Sequence, residues 1–260
     1  MKKRIISLLL CLCMVFSLLP TVVFASETET STTVYDWDKE NACYTSTTDG
    51  NEPQLIKYND NDPDGSLPET LQTLYSNINA AANEAAKVAA IDSAKNAGTI
   101  TENLANRLKR LVHVYTSGEL TNGVSLQNNL FEAKLVGDEL VISGSGALPT
   151  YTRYNAAFWA PADNSVAMRP WNTEKLGDKA VSSVRFAPGI TEVGAYAFYY
   201  QKRDDITSAT FNRNLKIHLP DSLEKMSQAT FMSLNASDIA VPSSVTTLST
   251  RLFGTLSRLY

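Results

Sequence analysis

One hydrophobic spelling is written three times in the second half of the chain, and it limits what that half can fold into. VRFAPGITEVGAYAF occupies residues 184–198, IHLPDSLEKMSQATF residues 217–231, and IAVPSSVTTLSTRLF residues 239–253. Counting each first residue as zero, apolar side chains recur at offsets 0, 2, 6, 9 and 14. They are Val184, Phe186, Ile190, Val193 and Phe198, then Ile217, Leu219, Leu223, Met226 and Phe231, then Ile239, Val241, Val245, Leu248 and Phe253. Offsets 0 and 2 suit a short strand with alternating faces. Pro188, Pro220 and Pro242 then end that strand, because proline has no N–H for the ladder. A single unit has too little core to stand alone, so units must bury each other's faces.

The copies are unevenly spaced, starting 33 and then 22 residues apart. ITSATF at residues 206–211 also mimics VSSVRF at residues 181–186. The second unit therefore has two candidate registers, one of them with an insertion at residues 212–216. Leu259 stands where a further strand would begin, so the expectation is either a truncated chain or an open repeat end covered by self-association.

Residues 1–25 read as a secretory signal peptide. Lys2, Lys3 and Arg4 precede an apolar run from Ile5 to Leu19, and Val23 and Ala25 place cleavage after Ala25. The run of about 15 residues is shorter than the roughly 20 needed to span a bilayer. The signal holds three of the 23 basic residues and none of the 27 acidic ones, so the mature chain carries a formal charge of −7. That balance disfavours nucleic acid and anionic membrane as partners. Cys11 and Cys13 leave with the signal, and Cys43 alone cannot form an internal disulfide. The expected location is secreted or cell surface, with no membrane insertion after cleavage.

Residues 26–65 are polar and without period, and they read as a linker or loosely ordered arm whose Tyr35, Trp37 and Tyr58 can dock elsewhere. Residues 66–118 read as a helical hairpin. Ser66 and Glu69 form a capping box ahead of a face carrying Leu67, Leu71, Leu74, Ile78, Ala81, Ala85 and Val88. A stop at Asn96, Ala97 and Gly98 follows, and Thr101 caps a second helix ended by Gly118. Residues 119–172 read as a β-hairpin, turning at Gly137 and Asp138, with a lead-in to the repeats of residues 173–260. The fold class is α+β: an N-terminal helical hairpin, a β-hairpin and a short repeat solenoid.

The repeat pattern resembles the BspA-like leucine-rich repeat family of bacterial surface and secreted proteins. GIT-x-V-G-x-x-AF and LP-x-S-L carry the likeness, and GDELVISGSGALPTY followed by PWN looks like the segment that introduces such repeats. The resemblance covers about half the chain. It implies a curved solenoid with one narrow parallel sheet, and non-enzymatic adhesion to a host protein, a glycan or a neighbouring cell. The alternatives are an accessory region of a secreted polysaccharide-acting enzyme, or a structural module of a cell envelope.

Little in the residues suggests chemistry. His113, in the second helix, reads as a surface or packing group. His218, at offset 1 of a repeat strand, faces outward with Arg185 at the equivalent position, and these two are the candidate partner-binding residues. No zinc spacing, nucleophile elbow or phosphate-cradling glycine loop occurs. Asp60, Asp62, Asp64 and Gly65 imitate the start of a calcium loop, but the twelfth position is Leu71 rather than a carboxylate. No cofactor and no metal are expected.

Overall fold

The computed structural model describes residues 31–41, 43–56, 67–152, 163–176, 181–199, 211–232, 234 and 236–253. The fold is mixed α+β. Two hydrophobic clusters divide it, one under an N-terminal sheet and helices and one inside the strand stack.

The polar segment 26–65 is not a loose arm between residues 33 and 56. It forms the antiparallel strands β1 (Thr33–Asp38), β2 (Cys43–Thr48) and β3 (Gln54–Ile56). The turn between the first two is tied by Asp38, whose Oδ1 accepts from the N–H groups of Glu40 and Asn41 at 2.8 and 3.0 Å. An aspartate closing its own turn in this way starts a hairpin without apolar help. Tyr35, Trp37 and Tyr44 are buried, with the Trp37 and Tyr44 rings edge-on at 5.1 Å. Tyr58 lies outside the described residues.

The expected helical hairpin is more finely divided. The first long helix is two: α1 (Glu69–Ala80) and α2 (Glu84–Asn96). The chain goes extended at Ala81, and Asn83 restarts the helix by accepting from Ala86 N–H at 2.9 Å. An N-cap amide satisfies a donor that an unbroken helix would not leave free, so Asn83 favours the break. Pro68 stands at the cap position of α1 with no side-chain bond, and Ser66 is outside the described residues. Helix α3 (Glu102–Val112) is capped by Thr101 as the spacing predicts, but it stops at Val112 rather than Gly118. Gly118 instead sits inside a short α4 (Ser117–Asn122), started by a capping box of Thr116 and Glu119. Arg107 of α3 is buried with its guanidinium 3.6 Å above the Trp37 ring, which joins the helices to the N-terminal sheet.

Strands β4 (Val124–Leu126), β5 (Phe131–Val136), β6 (Glu139–Gly144) and β7 (Gly146–Ala147) precede the repeats. Strands β5 and β6 pair antiparallel across Gly137 and Asp138, and Gly137 takes φ +64°, a backbone that glycine adopts without a Cβ penalty. A 3₁₀ turn at Val166–Met168 and the short α5 (Thr173–Leu176) lead onward. The repeats supply β8 (Val181–Phe186), β9 (Ile190–Val193), β10 (Phe211–His218), β11 (Lys225–Met226), β12 (Ala236–Ile239) and β13 (Thr247–Leu248).

Two sheets result, where the family resemblance implies one. The larger has the order β12-β10-β8-β6-β5-β4, with β6, β8, β10 and β12 parallel. The smaller has the order β13-β11-β9-β7, all parallel. The second exists because offsets 8 and 9 of each unit, such as Glu192 and Val193 against Lys225 and Met226, form a ladder of their own. Leu140 and Ile142 pair with Val184 and Phe186, so the stack already begins at β6. The likeness of ITSATF to VSSVRF does not set the register. Phe211 pairs with Val181, Ile217 pairs with Val184, and the ladder shifts between Phe211 and Lys216 to absorb the extra length.

Each unit repeats one backbone peculiarity. Tyr196, Ala229 and Arg251, all at offset 12, take φ of +56°, +54° and +58°. Non-glycine residues seldom adopt this conformation, so its recurrence marks a turn that packing imposes three times. Two residues later the phenylalanines form a column headed by Trp171. Successive centroids from Trp171 to Phe198, Phe231 and Phe253 are 5.1, 5.9 and 5.9 Å apart. Burial of the spelled positions fades along this column. All five are buried in the first unit, while in the third Val241 and Leu248 are 44% and 60% exposed. Among the described residues β12 and β13 are the end strands of their two sheets.

Candidate functional site

The strand face places the two expected residues together. His218 on β10 is the direct partner of Arg185 on β8, and both are exposed while Val184, Phe186 and Ile217 turn inward. Strand alternation alone produces this, since neighbours in register on parallel strands share a face. The row continues through Val141 to Lys134, and Lys216 lies on the same face of β10 two residues before His218. Ala240, the third residue at this offset, is exposed beyond the end of β12.

Arg185 is not a free cation. Its guanidinium grips Glu139 on β6 with both arms, Nη2 to Oε1 at 3.0 Å and Nε to Oε2 at 3.1 Å. The hydrogen bond and charge of Glu139 raise the Arg185 pKa further. A bidentate pair on an exposed strand holds the guanidinium plane in one orientation, which suits recognition of a planar or anionic group at its outer edge. The face can bind by shape and charge.

A cleft of about 640 Å³ lies elsewhere, where α2, α3 and the loop after β4 approach Tyr151 and the segment from Asp163. His113 stands on its edge as the residue just after α3, half-buried rather than on a helix face. Its Nδ1 is 2.6 Å from Glu84 Oε1 and its Nε2 is 3.0 Å from Glu119 Oε1. Glu84 starts α2 and Glu119 lies in the first turn of α4, so one imidazole joins the ends of three helices. The other oxygen of Glu84 accepts from Val114 N–H at 2.9 Å.

The two glutamates are built to stay ionised. Burial pushes the Glu84 carboxyl up, but the Val114 hydrogen bond and the His113 pair outweigh it and hold Glu84 below its ordinary value. The Thr116 backbone and hydroxyl hold Glu119 low as well. A general acid needs a carboxyl raised toward neutral pH, and neither glutamate is placed that way. The arrangement works as a clasp between helices. Its linkage has a definite sign. Glu84 titrates lower in the folded chain than its ordinary 4.5, so its contribution is present above that value and lost as pH falls through the folded one. Glu84→Gln should therefore lower stability near neutral pH, yet lose less between about pH 5 and about pH 3 than the parent does. Thermal melts across that range check this, and parallel losses in both proteins would contradict it.

Burial pushes the free Cys43 thiol up, so it is a poor nucleophile. Among the described residues no group of three or more His, Cys, Asp or Glu side chains could hold a metal, and Asp60, Asp62 and Asp64 lie outside them. No helix among the described residues is long and apolar enough to cross a membrane.

Sequence reasoning missed the cleft. Tyr115, Gln127, Asn128 and Tyr151 line it from separate elements, and no spacing links them. The one local signal is the polar tip QNN between two strand patterns. Comparison with protein family models, with curated proteins and with solved structures found no match to this chain.

Proposed function

We propose that this chain is an exported, non-enzymatic binding protein of the BspA-like kind, whose stacked units form a short leucine-rich repeat solenoid. It attaches to a host protein, a glycan or a neighbouring cell. The observation that carries the reading is the in-register row of exposed Arg185 and His218 over the buried Val184 and Ile217, on strands that recur with the repeat. Stacked units give a surface whose inward residues are spent on packing and whose outward residues are free to vary, which is how repeat proteins bind.

The signal-like start at residues 1–25 supports export, and the acidic mature charge supports a protein or glycan partner over nucleic acid. The exposed Val241 and Leu248 at the last described unit support self-association as a second contact. The test is a screen of the purified chain against immobilised matrix proteins, mucins and cell-wall glycans. Saturable binding at micromolar protein is expected for at least one of them. Absence of saturable binding throughout the panel would sink the reading and favour a structural role in the envelope.

A further inference from the structure

The loop that closes β4 onto β5 has an unusual backbone. Gln127, Asn128 and Asn129 take φ of +45°, +57° and +69° in succession, and Leu130 N–H closes the turn on Gln127 O at 3.3 Å. Asparagine tolerates this region and glutamine does so less well, so the tip holds conformational energy that a glycine turn would avoid. Its effect is to place two exposed amide-bearing residues, Gln127 and Asn128, on the wall of the 640 Å³ cleft.

Most charges of that cleft are already answered from within. Glu84 is taken by His113 and Val114 N–H. Lys109 reaches Asp92 at 2.6 Å, and Lys175 donates to the carbonyls of Arg110 and His113. Asp163 sits 3.3 Å from Arg107 Nε. Among the described residues the one loosely held cation is Arg110, 63% exposed and 3.9 Å from Asp163, so an anionic ligand must compete with that carboxylate, and a wholly apolar ligand would strand the amides without partners. What remains for a ligand is a set of groups that both donate and accept, beside the rings of Tyr115 and Tyr151. Burial pushes Tyr151 up to about 12 and raises Tyr115, so both phenols stay neutral.

We infer that this cleft is a second binding site, separate from the strand face, and that its ligand is a short neutral oligosaccharide. Sugar hydroxyls match amides that offer donor and acceptor together, and the C–H faces of a pyranose lie against aromatic rings. The cleft volume falls inside the roughly 300–1,000 Å³ of small-ligand sites. The inference does not depend on the strand-face reading, because no residue of β8 or β10 lines the cleft.

Calorimetric titration of the purified chain with neutral trisaccharides (cellotriose, chitotriose, mannotriose) and acidic ones (sialyllactose, a galacturonate trimer) tests it. At least one neutral sugar should bind with Kd below about 1 mM. Gln127→Gly/Asn128→Gly, which removes both amides and keeps the turn accessible, should weaken that binding at least about tenfold. Arg185→Glu/His218→Ala should leave it within about twofold. If the glycine variant melts early, Asn164→Ala, on the exposed rim, should weaken the same sugar. The inference is overturned if no neutral sugar binds, if only acidic sugars bind, or if the loss follows the strand-face variant instead of the cleft variants.

Discussion

Replacing Arg169 with methionine should lower stability by about 3 kcal/mol, a fall of roughly 6–12 °C in Tm for a chain of this size. The guanidinium is buried and faces carbonyls rather than an acid. Nε donates to Val166 O at 3.1 Å, Nη1 to Tyr196 O and Ala197 O at 2.8 and 2.6 Å, and Nη2 to Tyr199 O at 2.9 Å. Burial lowers the Arg169 pKa to about 10, which still leaves the charge in place at neutral pH. Methionine fills similar space and removes a desolvated charge, which offsets part of the loss. It also leaves the Tyr196 and Tyr199 carbonyls without this donor, at about 1–3 kcal/mol for each buried acceptor. Ala197 O keeps the Trp171 indole N–H at 2.7 Å.

The location makes the loss larger than one side chain suggests. Tyr196 holds the positive φ of the first repeat turn, and Arg169 is the group that pins its carbonyl. Lysine keeps the charge but not the planar fork, so Arg169→Lys should recover only part of the difference. Thermal or urea melts of the two variants measure this. An unchanged Tm in Arg169→Met would show that the turn is held by the repeats themselves.

Phe231→Ala should cost about 3–5 kcal/mol, and Phe253→Ala only about 1–2 kcal/mol. Both occupy offset 14, and a sequence alone assigns them equal weight. Phe231 is fully buried between Phe198 and Phe253 at 5.9 Å on each side, with Phe186 edge-on at 6.4 Å. Phe253 is half-buried and has Phe231 stacked at an interplanar angle of 10°. Truncating the inner ring opens a cavity walled by three aromatics, and truncating the outer ring opens a surface dent. A double-mutant cycle between Phe198 and Phe231 should give a coupling of about 0.5–1.5 kcal/mol. Equal losses for Phe231→Ala and Phe253→Ala would contradict the column.

The repeats were legible because their period is carried by side-chain volume at fixed offsets. Val184, Phe186, Ile190, Val193 and Phe198 could be assigned to the interior from spelling alone, and all are buried. Their second ladder was not legible, since Glu192 and Lys225 look like surface residues while their backbones pair. The N-terminal sheet was hidden by composition. β1 and β2 hold threonine, serine and aspartate on the open face, and only the alternation of Tyr35 with Trp37 signals a strand. Asn83 was a readable cap inside an alanine-rich run, but the apolar stripe continued across it and masked the break.

The site divides the same way. Arg185 and His218 could be paired because one offset in a repeat predicts one face of a sheet. The Glu139 clamp on Arg185 depends on a strand from outside the repeats, and the cleft depends on α2, α3 and the QNN loop meeting across more than 40 residues. Such meetings follow from packing, which no local pattern records.

We propose that the outward row of the repeat strands carries the binding surface. The direct measurement is a binding titration, against the best ligand from the panel, of the parent chain and of Arg185→Glu/His218→Ala at equal folded concentration. A loss of at least about tenfold in affinity, which is about 1.4 kcal/mol, is expected, together with a Tm lowered by a few degrees, because the new carboxylate faces Glu139 where the guanidinium was paired. Equal affinity in the two proteins would contradict it and move the binding surface off the strand face.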